Sequence, residues 1–183
     1  MRHSGRNVFG QAYSLTVLTP VLPERLNALA GHLDALPGAG QSPLARVPGT
    51  HFARWVVIDD VIYQGPPQPR DALAAPRLLF TSNFDGPLEP YLEALRTELG
   101  VEADAIWSHC TGYPGRGEPG PWAEWLRAHQ VDSALFFSAY GDQTVSEVRE
   151  NLELRSRLMR LALEAQGLTP AKLQSRFKED FPT

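Results

Sequence analysis

Four short runs of this 183-residue chain read as pleated strands; the first alternates polar with apolar residues, and the other three are largely apolar on both of their faces. They are Tyr13–Thr19, His51–Asp59, Arg77–Phe84 and Ser133–Tyr140. In the third run Leu78, Phe80, Ser82 and Phe84 alternate with Leu79, Thr81 and Asn83. In the second, Ala53, Trp55 and Val57 alternate with Phe52, Arg54, Val56 and Ile58. The last run splits into Ala134, Phe136, Ser138 and Tyr140 against Leu135, Phe137 and Ala139. Strands with this pattern are covered on both sides. Any sheet they build therefore needs two layers of cover.

The segments between the runs supply one layer. Gly and Pro gather at Pro37–Pro48, Gly65–Pro76 and Gly112–Pro121, which marks those stretches as loops. Pro23 opens a helix whose apolar stripe is Leu26, Leu29, Ala30, Leu33 and Leu36. A second helix over Pro87–Leu99 buries Leu88, Tyr91, Leu92, Leu95 and Leu99 and ends at Gly100. Shorter helical pieces are predicted at Glu102–His109 and Trp122–Gln130. A long helix starts at the capping box Thr144–Glu147 and ends at Gly167, and Thr169-Pro170 begins a last short one. The order of elements contains β-α-β-β-α-β, the ferredoxin-like unit: an α+β fold with one antiparallel sheet, two helices on one face, and extra helices. The expected organisation is a flexible N-terminus over 1–11, one domain over 12–167, and a short C-terminal helix and tail over 168–183. The sheet face away from the two helices is then bare. A second subunit, the extra helical segments or a ligand must cover it. Sheets of this topology pair face to face as dimeric α/β barrels, so a homodimer is expected.

Composition narrows the function classes. The chain carries 17 Lys+Arg against 21 Asp+Glu, a net charge of −4, and lacks the basic balance of a general nucleic-acid binder. No apolar run approaches the ~18 residues of a membrane span, and Met1–Gln11 lacks the apolar segment of a secretory signal. A cytoplasmic location is the expectation. The single cysteine, Cys110, excludes an intramolecular disulfide and a multi-cysteine zinc site.

Three segments, His51-Phe-Ala-Arg-Trp-Val-Val-Ile-Asp59, Leu78-Leu-Phe-Thr-Ser-Asn-Phe-Asp-Gly86 and Trp107-Ser-His-Cys-Thr-Gly-Tyr-Pro114, resemble parts of uncharacterised bacterial proteins. Those proteins are similar to the dimeric α/β-barrel superfamily, which includes haem peroxidases of the dye-decolourising type and chlorite dismutases. The resemblance covers residues 12–165 at the level of fold and implies a barrel-forming dimer and haem- or peroxide-related oxidoreductase chemistry. In the haem members the iron ligand is a histidine on a helix beside the sheet. The long helix here, Thr144–Ala165, has none.

Read from the residues alone, the side chains able to carry chemistry are His51, Arg54, Asn83, Asp85, His109, Cys110 and Tyr113. His109 and His51 are the candidate catalytic groups, since imidazole titrates near neutrality. Arg54 lies within an apolar run, where a guanidinium needs a partner: a ligand carboxylate or phosphate, or a structural carboxylate such as Asp85, Asp59 or Asp60. Asn83, Trp55, Tyr113 and Tyr140 are the further candidate ligand-binding residues, with Trp55, Phe80, Phe136 and Tyr140 expected around an aromatic cavity. Asp85 equally suits a helix cap, and Cys110 a small buried hydrophobe. No spacing of His, Glu or Cys supports a metal site. The expected function is small-ligand binding by an α/β-barrel domain with haem- or peroxide-related redox chemistry. The alternative is a non-catalytic dimerisation or assembly module.

Overall fold

Backbone pairing along one long strand organises most of the chain. The computed structural model describes residues 4–181, which fall into two compact units, Met1–Asp142 and Gln143–Thr183. The division comes just before the Thr144 cap, whereas the sequence placed the end of a single domain at 167. In the first unit, strands β1 (Val8–Phe9), β2 (Ala12–Pro20), β3 (Thr50–Ile58) and β4 (Arg77–Asp85) form one antiparallel sheet in the order β1-β2-β4-β3. The fold is α+β, with helices α1 (Leu26–Ala35), α2 (Leu88–Leu99), α3 (Val101–Trp107) and α4 (Pro119–Ala128) in this unit.

The pleat decides which side the helices cover. Tyr13, Leu15 and Val17 of β2 and Leu78, Phe80 and Phe84 of β4 are buried, and Ala53, Trp55 and Val57 of β3 pack on the same core. From the helices come Leu29, then Tyr91, Leu92, Leu95 and Leu99 at i, i+1, i+4, i+8 spacing, then Ile106, Trp107, Trp122 and Leu126. Trp107 is the centre: fully buried, its ring lies 5.5 Å from Phe80, 6.0 Å from Trp122 and 6.2 Å from Trp55, all near-perpendicular. Gly100 separates α2 from α3 at φ 57°, a conformation that L side chains rarely adopt.

The fourth strand is not the one expected. Ser133–Tyr140 forms no strand, and the short N-terminal β1 occupies the edge instead. The preceding residues do reach β2. Leu18 N–H donates to the His129 carbonyl (3.0 Å), Val131 N–H donates to the Thr16 carbonyl (2.8 Å), and Gln130 bridges Val17. Beyond that point β1 already holds the edge, with Val8 opposite Tyr13 and Phe9 opposite Ala12. Buried Asn7 turns the chain aside: its amide donates to Asp132 (3.0 Å) and its carbonyl oxygen accepts from Ser133 N–H (2.8 Å). The detour ends where Gln11 N–H donates to the Gly141 carbonyl (2.6 Å). Of the stretch expected to be flexible, Met1–His3 lie outside the described residues. Ser4–Asn7 and β1 belong to the fold.

A third segment completes the same edge. Cys110 bridges Val21, Leu22 N–H donates to the His109 carbonyl (3.0 Å), and Thr111 N–H donates to the Pro20 carbonyl (2.8 Å). Three pieces in line thus satisfy backbone groups that one continuous strand was expected to satisfy.

In the second unit, α5 (Val145–Glu164) starts as its sequence predicts. Thr144 Oγ1 accepts from Glu147 N–H (3.2 Å) and Thr144 N–H donates to the Glu147 carboxylate (2.7 Å). Helix α6 (Pro170–Asp180) follows. No helix among the described residues is long and apolar enough to cross a membrane.

Two substitutions test this architecture by chemical denaturation. Trp107→Ala should cost about 3–5 kcal/mol, because the ring touches three other aromatic side chains and nothing nearby can fill its space. Gly10→Ala should cost about 1–3 kcal/mol, since Gly10 has φ 59° and an added Cβ would strike the Gly141 carbonyl. A Gly10→Ala protein as stable as wild type would mean that the hairpin and the 132–141 detour are not packed as described.

Candidate functional site

The sheet face turned away from the helices is built by register. Row by row across β2, β4 and β3 it presents Ser14, Asn83 and Phe52, then Thr16, Thr81 and Arg54, then Leu18, Leu79 and Val56. Apart from Phe52, polar and apolar residues are thus segregated along the strands, and only part of this face is as apolar as the sequence pattern suggested. Ser14, Thr16, His51, Phe52, Ala53, Arg54, Thr81 and Asn83 line a groove of ≈ 680 Å³. A β-bulge between Thr50 and Phe52 places His51 at its rim. There His51 Nε2 lies 2.7 Å from Asp85 Oδ1, both residues being partly buried.

Arg54 departs from the premise that it is buried and needs a structural carboxylate. It is exposed, and it makes no ion pair or hydrogen bond among the described residues. Asp85 turns instead to His51, while Asp60 accepts from the backbone N–H groups of Val61 and Leu73, the latter the larger cause of its lowered pKa. The side chains of Ser14, Thr16, Thr81 and Asn83 likewise have no partner among the described residues. One guanidinium, three hydroxyls and a carboxamide therefore share one surface with their hydrogen-bonding capacity unused.

The other expected site residues lie elsewhere. Trp55 points to the helix-covered side, 5.4 Å from Phe80, so with Phe80 fully buried the two are core. Tyr140 is 71% exposed near the end of the detour, and these aromatics enclose no common cavity. Tyr113 O–H donates to Asp104 (2.8 Å), which also pairs with Arg116 (3.0 Å), an arrangement that pins the Gly/Pro loop. Burial, reinforced by the bond to Asp104, raises the Tyr113 pKa. His109 is half-buried at the far end of β2, bonded through its carbonyl to Leu22, whereas Asp85, the partner of His51, sits beside Ala12. Ten residues of extended chain separate the two, about 30 Å. Burial foremost, then the positive charge of Arg25 and His32, lowers the His109 pKa. His32 in turn lies 3.2 Å from Glu102.

The residues present do not fit a haem. A porphyrin held as in the superfamily the sequence resembles needs an apolar slot with an axial imidazole beside it. The groove at His51 is lined instead by hydroxyls, a carboxamide and a guanidinium, and His109 lines no part of it. Among the described residues no three His, Cys, Asp or Glu side chains gather as metal ligands.

Sequence reasoning missed Ser14, Thr16 and Thr81 as site residues. Their signal was present, as polar residues alternating with buried ones, but the strand order that aligns them is a tertiary fact. It also missed the buried hydroxyl chain in which Tyr91 meets Ser82 (2.6 Å) and Thr50 (3.1 Å) under a stacked Phe84. No protein-family model, curated protein or solved structure matches the chain.

Cys110 supplies a test of this partition. It is 3% exposed, its sulfur lies 3.2 Å from Thr19 Oγ1, and burial pushes its thiol up to about 11 from an ordinary 9.0. Iodoacetamide at pH 8 should leave native Cys110 unmodified and label it after denaturation. Because the folded value is raised, its contribution to stability is complete below about pH 9 and lost as pH rises through about 11. The wild-type minus Cys110→Ala stability difference should therefore shrink by roughly 2 kcal/mol over that interval.

Proposed function

We propose that the open sheet face is a binding surface for a small anionic ligand, with Arg54 as its charged anchor. The observation that carries this reading is the exposed, unpaired Arg54 in one row with Thr16 and Thr81, inside a groove whose hydroxyl and carboxamide side chains have no other partner among the described residues. A guanidinium presents two parallel N–H groups to a carboxylate, and neighbouring hydroxyls and a carboxamide add donors to its remaining lone pairs. His51, oriented by Asp85, is the one group at the rim able to move a proton, and any turnover would run through it. The fold in this reading is a ferredoxin-like variant, β2-α1-β3-β4-α2, whose last strand is replaced by three short segments. Haem chemistry forms no part of it.

A second reading rests on Phe52. It is 76% exposed on the same face, with Val56 at 39%, a cost in water that a second copy stacked on this sheet would remove. That is the face-to-face homodimer of a dimeric α/β barrel, and it would enclose the groove rather than abolish it.

The two readings separate experimentally. A carboxylate-dependent rise in Tm should disappear in Arg54→Gln and persist in part in Arg54→Lys, with unliganded Tm unchanged in both. No shift with any carboxylate at millimolar concentration would sink the ligand reading. Light scattering behind size exclusion reports on the dimer. Phe52→Asp should convert dimer to monomer, and a wild-type monomer at tens of micromolar would remove the second reading.

A further inference from the structure

Resting on the Arg54 reading, we infer that the ligand is an amphiphilic monocarboxylate: one acid group held at the Arg54 row and a compact apolar body lying over the next row. The inference comes from the spacing of the rows. On one face of a sheet, successive rows are about 7 Å apart along the strands, and neighbouring strands about 5 Å apart across it. The row Leu18, Leu79 and Val56 therefore begins about 7 Å from the row Thr16, Thr81 and Arg54, and its three side chains form a patch about 10 Å wide. None of the three is fully buried, and Val56 is exposed, so their apolar surface is open to a ligand.

The chemistry is directional. Arg54 supplies positive charge at one end, matched to a carboxylate. Ser14, Thr16, Thr81 and Asn83 supply neutral polar groups around it, with Phe52 the one large apolar side chain in the groove lining, and among the described residues no carboxylate apart from the His51-bound Asp85 adjoins them. Beyond the Arg54 row, past the groove lining, the sheet surface turns apolar. A wholly polar anion such as phosphate would use the first feature and leave the second in water. A neutral hydrocarbon would use the second and leave the guanidinium idle. An acid with four to six carbons spans both. Arg77 shares this face one row farther on, opposite Pro20 and Ile58, about 14 Å from the Arg54 row and beyond the reach of an acid of four to six carbons, so the arrangement has one anchored end.

The test is a titration of the full chain with acetate, butyrate and hexanoate, followed by amide chemical-shift changes. In the wild type the Kd should fall by roughly two- to threefold per added methylene, the increment for partial burial of each CH2. Val56→Ser and Leu79→Ser should bind acetate as the wild type does and lose most of that gain. Arg54→Gln should lose all three ligands while keeping its native spectrum. A flat series with acetate still bound at Arg54 would overturn the amphiphile and leave the anion site standing. Binding of none of the three would overturn the anion site and this inference together. A six-carbon dicarboxylate binding more tightly than hexanoate would show that the far end is polar, and would also overturn it.

Discussion

The outer edge of β2 is the constraint on which the remaining structure depends. A nine-residue strand inside an α+β domain cannot leave its N–H and C=O groups unpaired under packed side chains, because each orphaned group costs on the order of 1–3 kcal/mol. Here Val8–Phe9, His129–Val131 and His109–Thr111 share that edge. Their docking fixes much of the local anatomy. It brings the end of α3 beside Val21, sets the exit of α4 beside Val17, and leaves room for the N-terminal hairpin at Ala12 and Tyr13. The Trp-Ser-His-Cys-Thr-Gly-Tyr segment, dense in reactive side chains, is accounted for in the same way. Trp107 fills the core, the backbone of His109–Thr111 closes an edge, Cys110 is sealed against Thr19, and Tyr113 holds a loop.

One-sided burial is the second consequence. Every helix of the first unit that contributes to the core does so on the face of Leu15, Val17, Phe80 and Trp55. Its partner face is left with the alternate residues, and the register of β2, β4 and β3 decides how these are grouped. Ser14 and Asn83, then Thr16, Thr81 and Arg54, then Leu18, Leu79 and Val56 become rows because of pairing, not because of proximity in the chain. The polar groups of the groove gain their joint capacity from that grouping. A single exposed arginine is ordinarily a solvated one. Beside two threonines and a carboxamide with unused donors, it becomes the anchor of the anion site we propose.

Legibility in the sequence followed the range of the forces involved. The Thr144–Glu147 cap, the stripe of α2 and the alternation of Arg77–Phe84 were all readable, since each depends on contacts within a few residues. Ser133–Tyr140 misled for the same reason. Its pattern is that of a strand, but Asn7, more than 120 positions earlier, bonds Asp132 and Ser133 and sends it past the place it would have taken. Leu135, Phe137 and Tyr140 are left exposed as a result. Arg54 was singled out for a burial that it does not have. Trp55 was grouped with ligand-binding residues because its polarity and size are visible in the sequence and the direction of its face is not.

What the chain determines by itself is the set of local elements and the alternation that gives each strand two distinct faces. These follow from dihedral preference, capping and hydrophobic period, all of them short-ranged. Which strand lies beside which, which face receives the helices, and therefore which polar residues come to share a surface were decided only in three dimensions. Hydrogen-bond pairing between strands is nearly indifferent to side-chain identity, so the backbone of Val8–Phe9 could take an edge that the more strand-like Ser133–Tyr140 was expected to fill.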